Sequence, residues 1–143
     1  MFAVIDVETT GGHLYDDRIT EVAIYVTNGT KLIKSFSSLV NPQRKITPFV
    51  VKLTGITDEM VSTAPIFAVI AQEVLDYTEN CIFVAHNIGF DYSMIKREFK
   101  CIGRPFRRLN ACTVQLSQLV FKNQQSYSLG NLTRNLGISL ENR

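Results

Sequence analysis

The chain has 143 residues, of which 45% are hydrophobic and 20% are charged. This length and composition suit one globular domain with a core of its own, and they exclude disordered and fibrous classes. No apolar run approaches the ~20 residues that cross a bilayer, and Met1 leads directly into an apolar segment. We therefore expect no membrane span, no signal peptide and a cytoplasmic location.

Two further features of composition bear on function. The cysteines, Cys81, Cys101 and Cys112, are odd in number and lack zinc-site spacing, so they predict buried thiols rather than a disulfide framework. The net charge of +2 is unevenly placed, because residues 1–91 hold six Lys/Arg against eleven Asp/Glu and residues 92–143 hold nine against two. An acidic half and a basic half are typical of a metal-dependent enzyme that acts on a polyanion, although basic residues can also simply solubilise a surface.

The first element is an apolar run, residues 2–8, which predicts a buried β-strand. Asp6 and Glu8 fall on the same face of this strand, about 7 Å apart. Two carboxylates buried together are costly, and a hard divalent cation such as Mg²⁺ or Mn²⁺ would offset their charge. The turn that follows, residues 9–12, has backbone N–H groups that could receive a phosphate. In the alternative, one carboxylate lies in water at the strand end and the other pairs with an arginine.

Two more strands are expected over residues 18–27 and 31–40, joined at the hairpin signal Asn28-Gly29, so that the chain begins with three antiparallel strands. Residues 46–60 predict two short helices separated by a glycine turn, with Thr57 as the cap of the second. The rest alternates between helices and strands, which predicts a mixed α/β fold with a five-stranded sheet and flanking helices. The expected elements are a helix over 65–78 with Ile66, Ile70, Val74 and Tyr77 towards the core, a strand over 81–85, a helix opening near Asp91, a strand over 110–114, a helix containing Leu116, Leu119 and Val120, and a helix over 128–136.

The segment around Asp91 supplies another candidate carboxylate. Asp91 lies in the first turn of a helix, where the helix dipole favours an acid whether or not it binds a ligand. His86, at the end of the preceding strand, is by itself typical of a hydrogen-bonded structural histidine. Because sites in α/β sheets gather at the carboxyl ends of strands, we expect Asp91 at the same edge as Asp6 and Glu8.

Three segments resemble motifs of the DnaQ-like (DEDD) 3′→5′ exonucleases, a family that includes the proofreading epsilon subunit of bacterial DNA polymerase III. They are Asp6-Val7-Glu8-Thr9-Thr10-Gly11, Leu53-Thr54-Gly55-Ile56-Thr57 and His86-Asn87-Ile88-Gly89-Phe90-Asp91. The resemblance implies an RNase H-like fold that removes nucleoside 5′-monophosphates from single-stranded or frayed DNA ends. It also implies a DNA polymerase, or a further domain of a longer chain, as an additional partner. An exoribonuclease of the same fold and a non-catalytic nucleic-acid-binding module are the alternatives.

The resemblance also implies roles for individual residues. Asp6, Glu8 and Asp91 would be catalytic and would bind two divalent cations, Mg²⁺ or Mn²⁺. A further set would contact the terminal nucleotide or shape its pocket: Thr9, Thr10, Leu53, Thr54, His86, Asn87 and Phe90.

The last motif of the histidine-bearing members, His-x-x-x-x-Asp, is not found. The histidines are His13 and His86; His86 precedes Asp91 by five positions, but that pair belongs to the second motif, and no histidine follows the helix over 128–136 before the chain ends at residues 140–143. We therefore expect a single exonuclease domain over residues 1–143 that is a truncated piece of a longer protein or, less favoured, a naturally incomplete one. It should bind metal weakly, cleave slowly and expose an apolar patch where a final helix would pack.

Overall fold

The computed structural model describes residues 1–139, and its centre is a five-stranded sheet with the strand order β3-β2-β1-β4-β5. β1 pairs antiparallel with β2, which pairs antiparallel with β3, whereas β4 runs parallel to β1 and β5 parallel to β4. The predicted mixed α/β sheet is therefore confirmed. The strands are β1 (Phe2–Thr9), β2 (Ile19–Thr27), β3 (Leu32–Leu39), β4 (Ile82–Ala85) and β5 (Asn110–Cys112).

The helices are α1 (Pro48–Thr54), α2 (Asp58–Ser62), α3 (Phe67–Thr78), α4 (Gly89–Cys101), α5 (Thr113–Val120) and α6 (Leu129–Asn135). The two short helices expected around the glycine turn are α1 and α2. Gly55 ends α1 with a φ of 76°, a left-handed conformation that glycine adopts without strain. The Thr57 side chain accepts a hydrogen bond from the backbone N–H of Met60 and so caps α2, as predicted. No helix within residues 1–139 is long and apolar enough to cross a membrane.

The core lies between one face of the sheet and helices α3 and α4. Alternate residues of β1, namely Ala3, Ile5 and Val7, are buried against these helices. Across the helix pair, Phe67 and Phe99 meet edge to face with ring centroids 5.2 Å apart. This packing fixes the direction in which α4 begins, and hence the position of Asp91.

The prediction of a buried first strand holds for one face of β1 and is wrong for the other. Phe2 and Val4 are 38% and 40% exposed, Asp6 is exposed and Glu8 is half-buried. The described helices α3 and α4 cover the opposite face, so the apolar run of β1 includes side chains on the open face as well. Asp6 and Glu8 therefore lie at or near the surface, with a smaller desolvation cost than a buried pair would have.

Three smaller expectations also need correction. Cys101 is exposed at the end of α4 and Cys81 is half-buried, so only Cys112 is a buried thiol. Ile66 precedes α3 and is 36% exposed rather than facing the core. Ile66 is exposed because α3 begins at Phe67, and hydrophobic spacing locates helix boundaries poorly.

Exposed apolar side chains occur on α5, where Leu116, Leu119 and Val120 are 49%, 72% and 69% exposed. That a segment beyond these residues normally covers this region stays a prediction. Residues 140–143, near which the last motif was expected to begin, lie outside the described residues.

Candidate active site

The first structural feature of the site is the meeting of β1 with the first turn of α4. Asp91 Oδ1 accepts a hydrogen bond from the backbone N–H of Val7 at 3.2 Å. Because Val7 separates Asp6 from Glu8 along β1, the Asp91 carboxyl lies next to the backbone that carries both. Burial, followed by the charge of Asp6 and, more weakly, that of Glu8, raises the pKa of Asp91 from 3.8 to about 6. The three predicted carboxylates are therefore close enough to affect one another electrostatically.

A fourth carboxylate, Glu21, joins this group. Glu21 on β2 lies directly opposite Glu8 in the antiparallel ladder. Burial and the charge of Asp6 raise the pKa of Glu21 above its ordinary value. Like charges that face each other across a ladder destabilise the sheet, so the cluster would be relieved by a positive charge. Sequence reasoning missed Glu21 because its place depends on the register of the hairpin.

The chemistry of this donor set fits hard divalent cations such as Mg²⁺ and Mn²⁺, which take carboxylate oxygens. Within residues 1–139, no three His, Cys, Asp or Glu side chains are already arranged as a metal-binding group.

Beside the carboxylates lies a cavity of about 620 Å³. Its lining includes Phe49 and Leu53, which are 75% and 73% exposed and occupy one face of α1 because they are four residues apart. With Phe90, which also lines the cavity, they form its apolar wall. The predicted residues that line this cavity are Glu8, Thr9, Thr10, Leu53, Thr54 and Phe90.

Another part of the cavity lining comes from the loop of residues 10–18. The buried Asp17 carboxylate holds this loop in place. Asp17 Oδ1 accepts a hydrogen bond from Thr10 Oγ1, and Oδ2 accepts one from the backbone N–H of His13, both at 2.8 Å. Burial raises the pKa of Asp17, but these hydrogen bonds outweigh it and hold the pKa below its ordinary value. A Cβ atom at Gly11 would come within 2.5 Å of Asp17 Oδ2, so the loop requires glycine at this position.

The same loop is tied to α4 through a buried ion pair. Arg18 Nε and Nη2 donate to the two Glu98 oxygens at 2.7 and 2.8 Å, and Glu98 is 1% exposed. This bidentate pair fixes the loop with respect to the helix that carries Asp91.

His86 and Asn87 lie at the turn between β4 and α4 and do not line the cavity. His86 Nδ1 is 2.9 Å from Thr113 Oγ1, and among the described residues its buried Nε2 has no hydrogen-bond partner. Asn87 has a φ of 66° and forms the turn into α4. The turn places both residues at the same sheet edge as Asp91, and the Thr113 contact agrees with a structural role for His86.

Comparison with known proteins identifies the family. The RNase T family model, described as exonuclease, matches residues 3–143. The chain belongs to this exonuclease family. This confirms the family resemblance seen in the sequence and the class of enzyme, a nuclease.

The most similar relatives include the 3′-5′ exonuclease DinG of Staphylococcus aureus strain USA300, which is 36% identical over 142 residues. The alignment covers 99% of this chain but 16% of the relative, so the chain spans about a sixth of the length of the curated relatives it matches. Solved structures confirm the fold. Exonuclease I superposes with a TM-score of 0.85 at 18% identity, covering 96% of this chain and 36% of that protein. Exonuclease X in complex with 5′-overhanging duplex DNA superposes with a TM-score of 0.73 at 24% identity, covering 100% and 77%.

Proposed function

We propose that this domain is a 3′→5′ exonuclease that releases nucleoside 5′-monophosphates from single-stranded or frayed DNA ends with the help of two divalent cations, Mg²⁺ or Mn²⁺. The observation that carries the proposal is the electrostatic coupling of Asp6, Glu8 and Asp91 beside an open cavity with an apolar wall. Membership of the exonuclease family and the 3′-5′ activity in the name of the DinG relative support it.

In this mechanism Asp6, Glu8 and Asp91 hold the cations, and Glu21 adds negative charge that favours them. Bound cations of this kind activate the attacking water and stabilise the leaving oxygen. The hydrogen bond from the Val7 N–H holds the Asp91 carboxyl against the end of β1.

The rest of the cavity would position the terminal nucleotide. Phe49, Leu53 and Phe90 offer a nucleobase an apolar surface, and base stacking on aromatic side chains is tolerant of sequence. Arg44 also lines the cavity, where its guanidinium lies 3.8 Å from Asp17 Oδ1 and donates to the Asp16 carbonyl. Its charge would favour an entering phosphate.

The test is hydrolysis of 5′-labelled single-stranded DNA, with enzyme in excess so that slow cleavage is detected. Mn²⁺ should produce a ladder of products shortened from the 3′ end, EDTA should abolish it, and Asp6→Asn and Glu8→Gln should each reduce it at least a hundredfold. Glu73→Gln, an exposed carboxylate substitution on α3, is the matched control and should cleave normally. Metal-independent cleavage, or full activity in Asp6→Asn, would overturn the assignment.

The same assay separates the alternatives. Faster cleavage of RNA than of DNA would indicate the exoribonuclease, and tight binding without cleavage would indicate the non-catalytic binding module. The cleavage rate of residues 1–143 in this assay tests the expectation that they are slow. A polymerase partner and a cytoplasmic location stay predictions.

A further inference from the structure

Two further cavities lie along α4 and the loop that follows it. The two cavities, about 640 and 490 Å³, adjoin each other because Lys96 and Lys100 line both, and we treat them as one groove. We call it the basic groove and define it by Lys96, Arg97, Lys100, Arg104 and Arg107. No carboxylate is among the residues that line it.

The cations of the basic groove are not neutralised by the fold. Within residues 1–139, none of the five takes part in an ion pair. Arg104 donates to the Gln72 side chain at 3.0 Å, and Arg97 donates to the carbonyls of Tyr15 and Asp17. Lys96 and Lys100 are four residues apart on one helix face, where like charges repel. A polyanion in the groove would relieve this repulsion.

The basic groove adjoins the candidate active site through a single loop. His13, Asp16 and Asp17 line the active-site cavity, whereas Leu14 and Tyr15 line the groove. The hydrogen bonds from Arg97 hold this loop on α4, so the two cavities lie on either side of it. Tyr15 is 91% exposed and offers a surface on which a base can stack.

We propose that the basic groove binds the sugar–phosphate backbone of the substrate strand beyond its terminal nucleotides. The proposal rests on the proposed function, because that function places the 3′ end of the strand beside the carboxylates. Lys100 follows Asp91 by nine residues on α4, which is about 14 Å along the helix axis. At about 3.4 Å per phosphate this is about four nucleotides, so only strands longer than that should reach Lys100 and the far end of the groove.

The experiment compares the groove variant K96Q/K100Q/R104Q with a control variant of equal charge change, K31Q/K122Q/R134Q, whose exposed cations lie outside the groove. Fluorescence anisotropy with a 15-nucleotide oligothymidine in EDTA measures binding without cleavage. The groove variant should bind at least tenfold more weakly, and the slope of log K against log[salt] should fall by about 2, because each lost phosphate contact removes about 0.7. The control should bind as the wild type does.

Three results would overturn the proposal: unchanged binding by the groove variant, an equal loss in the control, or an equal loss in the Mn²⁺-dependent cleavage of a three-nucleotide strand. Melting temperatures of both variants establish that they fold. Hydrolysis of the three-nucleotide strand with Mn²⁺ reports on the active-site cavity, so failure of the proposed function shows as no cleavage there while binding of the long strand remains measurable.

Cys101 supplies a second readout that needs no substitution of a cation. It is exposed and lines the groove, whereas Cys81 is half-buried elsewhere and serves as the reference. The 15-nucleotide strand should slow alkylation of Cys101 by N-ethylmaleimide at least fivefold, measured by peptide mass spectrometry, with no change at Cys81. Equal alkylation of Cys101 with and without the strand would contradict occupation of the groove.

Discussion

Replacing Asp91 with asparagine isolates the electrostatic cost of the carboxylate cluster. Burial and the charge of Asp6 raise the pKa of Asp91 from 3.8 to about 6, so the folded protein favours the protonated carboxyl. A raised carboxyl pKa contributes stability that is fully present below the unfolded pKa and is lost as the pH rises through the folded pKa. At about 1.36 kcal/mol per pKa unit, the full loss is about 3 kcal/mol, of which about 2 kcal/mol falls between pH 4.5 and pH 8.

Urea unfolding in EDTA at these two pH values measures the effect. Wild type should lose about 2 kcal/mol more than Asp91→Asn on going from pH 4.5 to pH 8, because asparagine does not ionise. The asparagine oxygen can still accept the Val7 N–H, so the hydrogen bond does not confuse the comparison. Glu73→Gln is the control and should follow the wild type. If Asp91→Asn shows the same pH dependence as the wild type, Asp91 does not have the raised pKa that its burial and the charge of Asp6 predict.

Adding Mg²⁺ at pH 8 extends the test to the proposed cation site. A ligand that binds only the folded state stabilises it, by about 1.4 kcal/mol at ten times its dissociation constant. Wild type should therefore be stabilised by millimolar Mg²⁺, and Asp91→Asn much less. Equal stabilisation of both proteins would place the cation away from Asp91.

Three further substitutions test the walls of the site. Gly11→Ala should lower the free energy of unfolding by about 1–3 kcal/mol because its Cβ would overlap a neighbouring carboxylate, whereas Gly12→Ala, which meets open space, should change it by less than about 0.5 kcal/mol in the same urea titration. Arg18→Met should cost about 3–5 kcal/mol because it leaves the buried Glu98 carboxylate unpaired, and adding Glu98→Leu should restore most of the loss. Phe49→Ala should leave the melting temperature unchanged and raise the KM for single-stranded DNA about tenfold, since a stacked base is worth about 1–3 kcal/mol; an unchanged KM would remove Phe49 from the substrate site.

The parts of the site that sequence predicts are those set by local periodicity. Alternation along a strand places Asp6 and Glu8 on one face, and the structure confirms it. The turn from β4 into α4 brings Asp91 to the end of β1, as the carboxyl-edge argument expects. The exposure of the Asp6 face was not predictable, because it depends on which helices cover the sheet.

The parts that sequence reasoning missed depend on pairing and packing between distant segments. Glu21 enters the cluster through hairpin register, and Phe49 enters the cavity through the placement of α1. Glu98 lies among the apolar residues of α4 and looks solvated in the sequence, yet it is buried because Arg18, eighty residues earlier, reaches it. No pattern within α4 identifies that partner.

The uneven charge of the chain has a structural counterpart on α4. The helix begins with Asp91 in the carboxylate cluster and ends with Lys100 in the basic groove, an arrangement that the helix dipole favours at both ends. The carboxylates alone would repel the phosphate of an entering strand, whereas the groove attracts it. A long strand should therefore bind the groove in EDTA, while a strand too short to reach it should bind only once a cation has neutralised the cluster. Metal dependence of binding should accordingly decrease as the strand is lengthened past about four nucleotides, the length at which its phosphates reach Lys100.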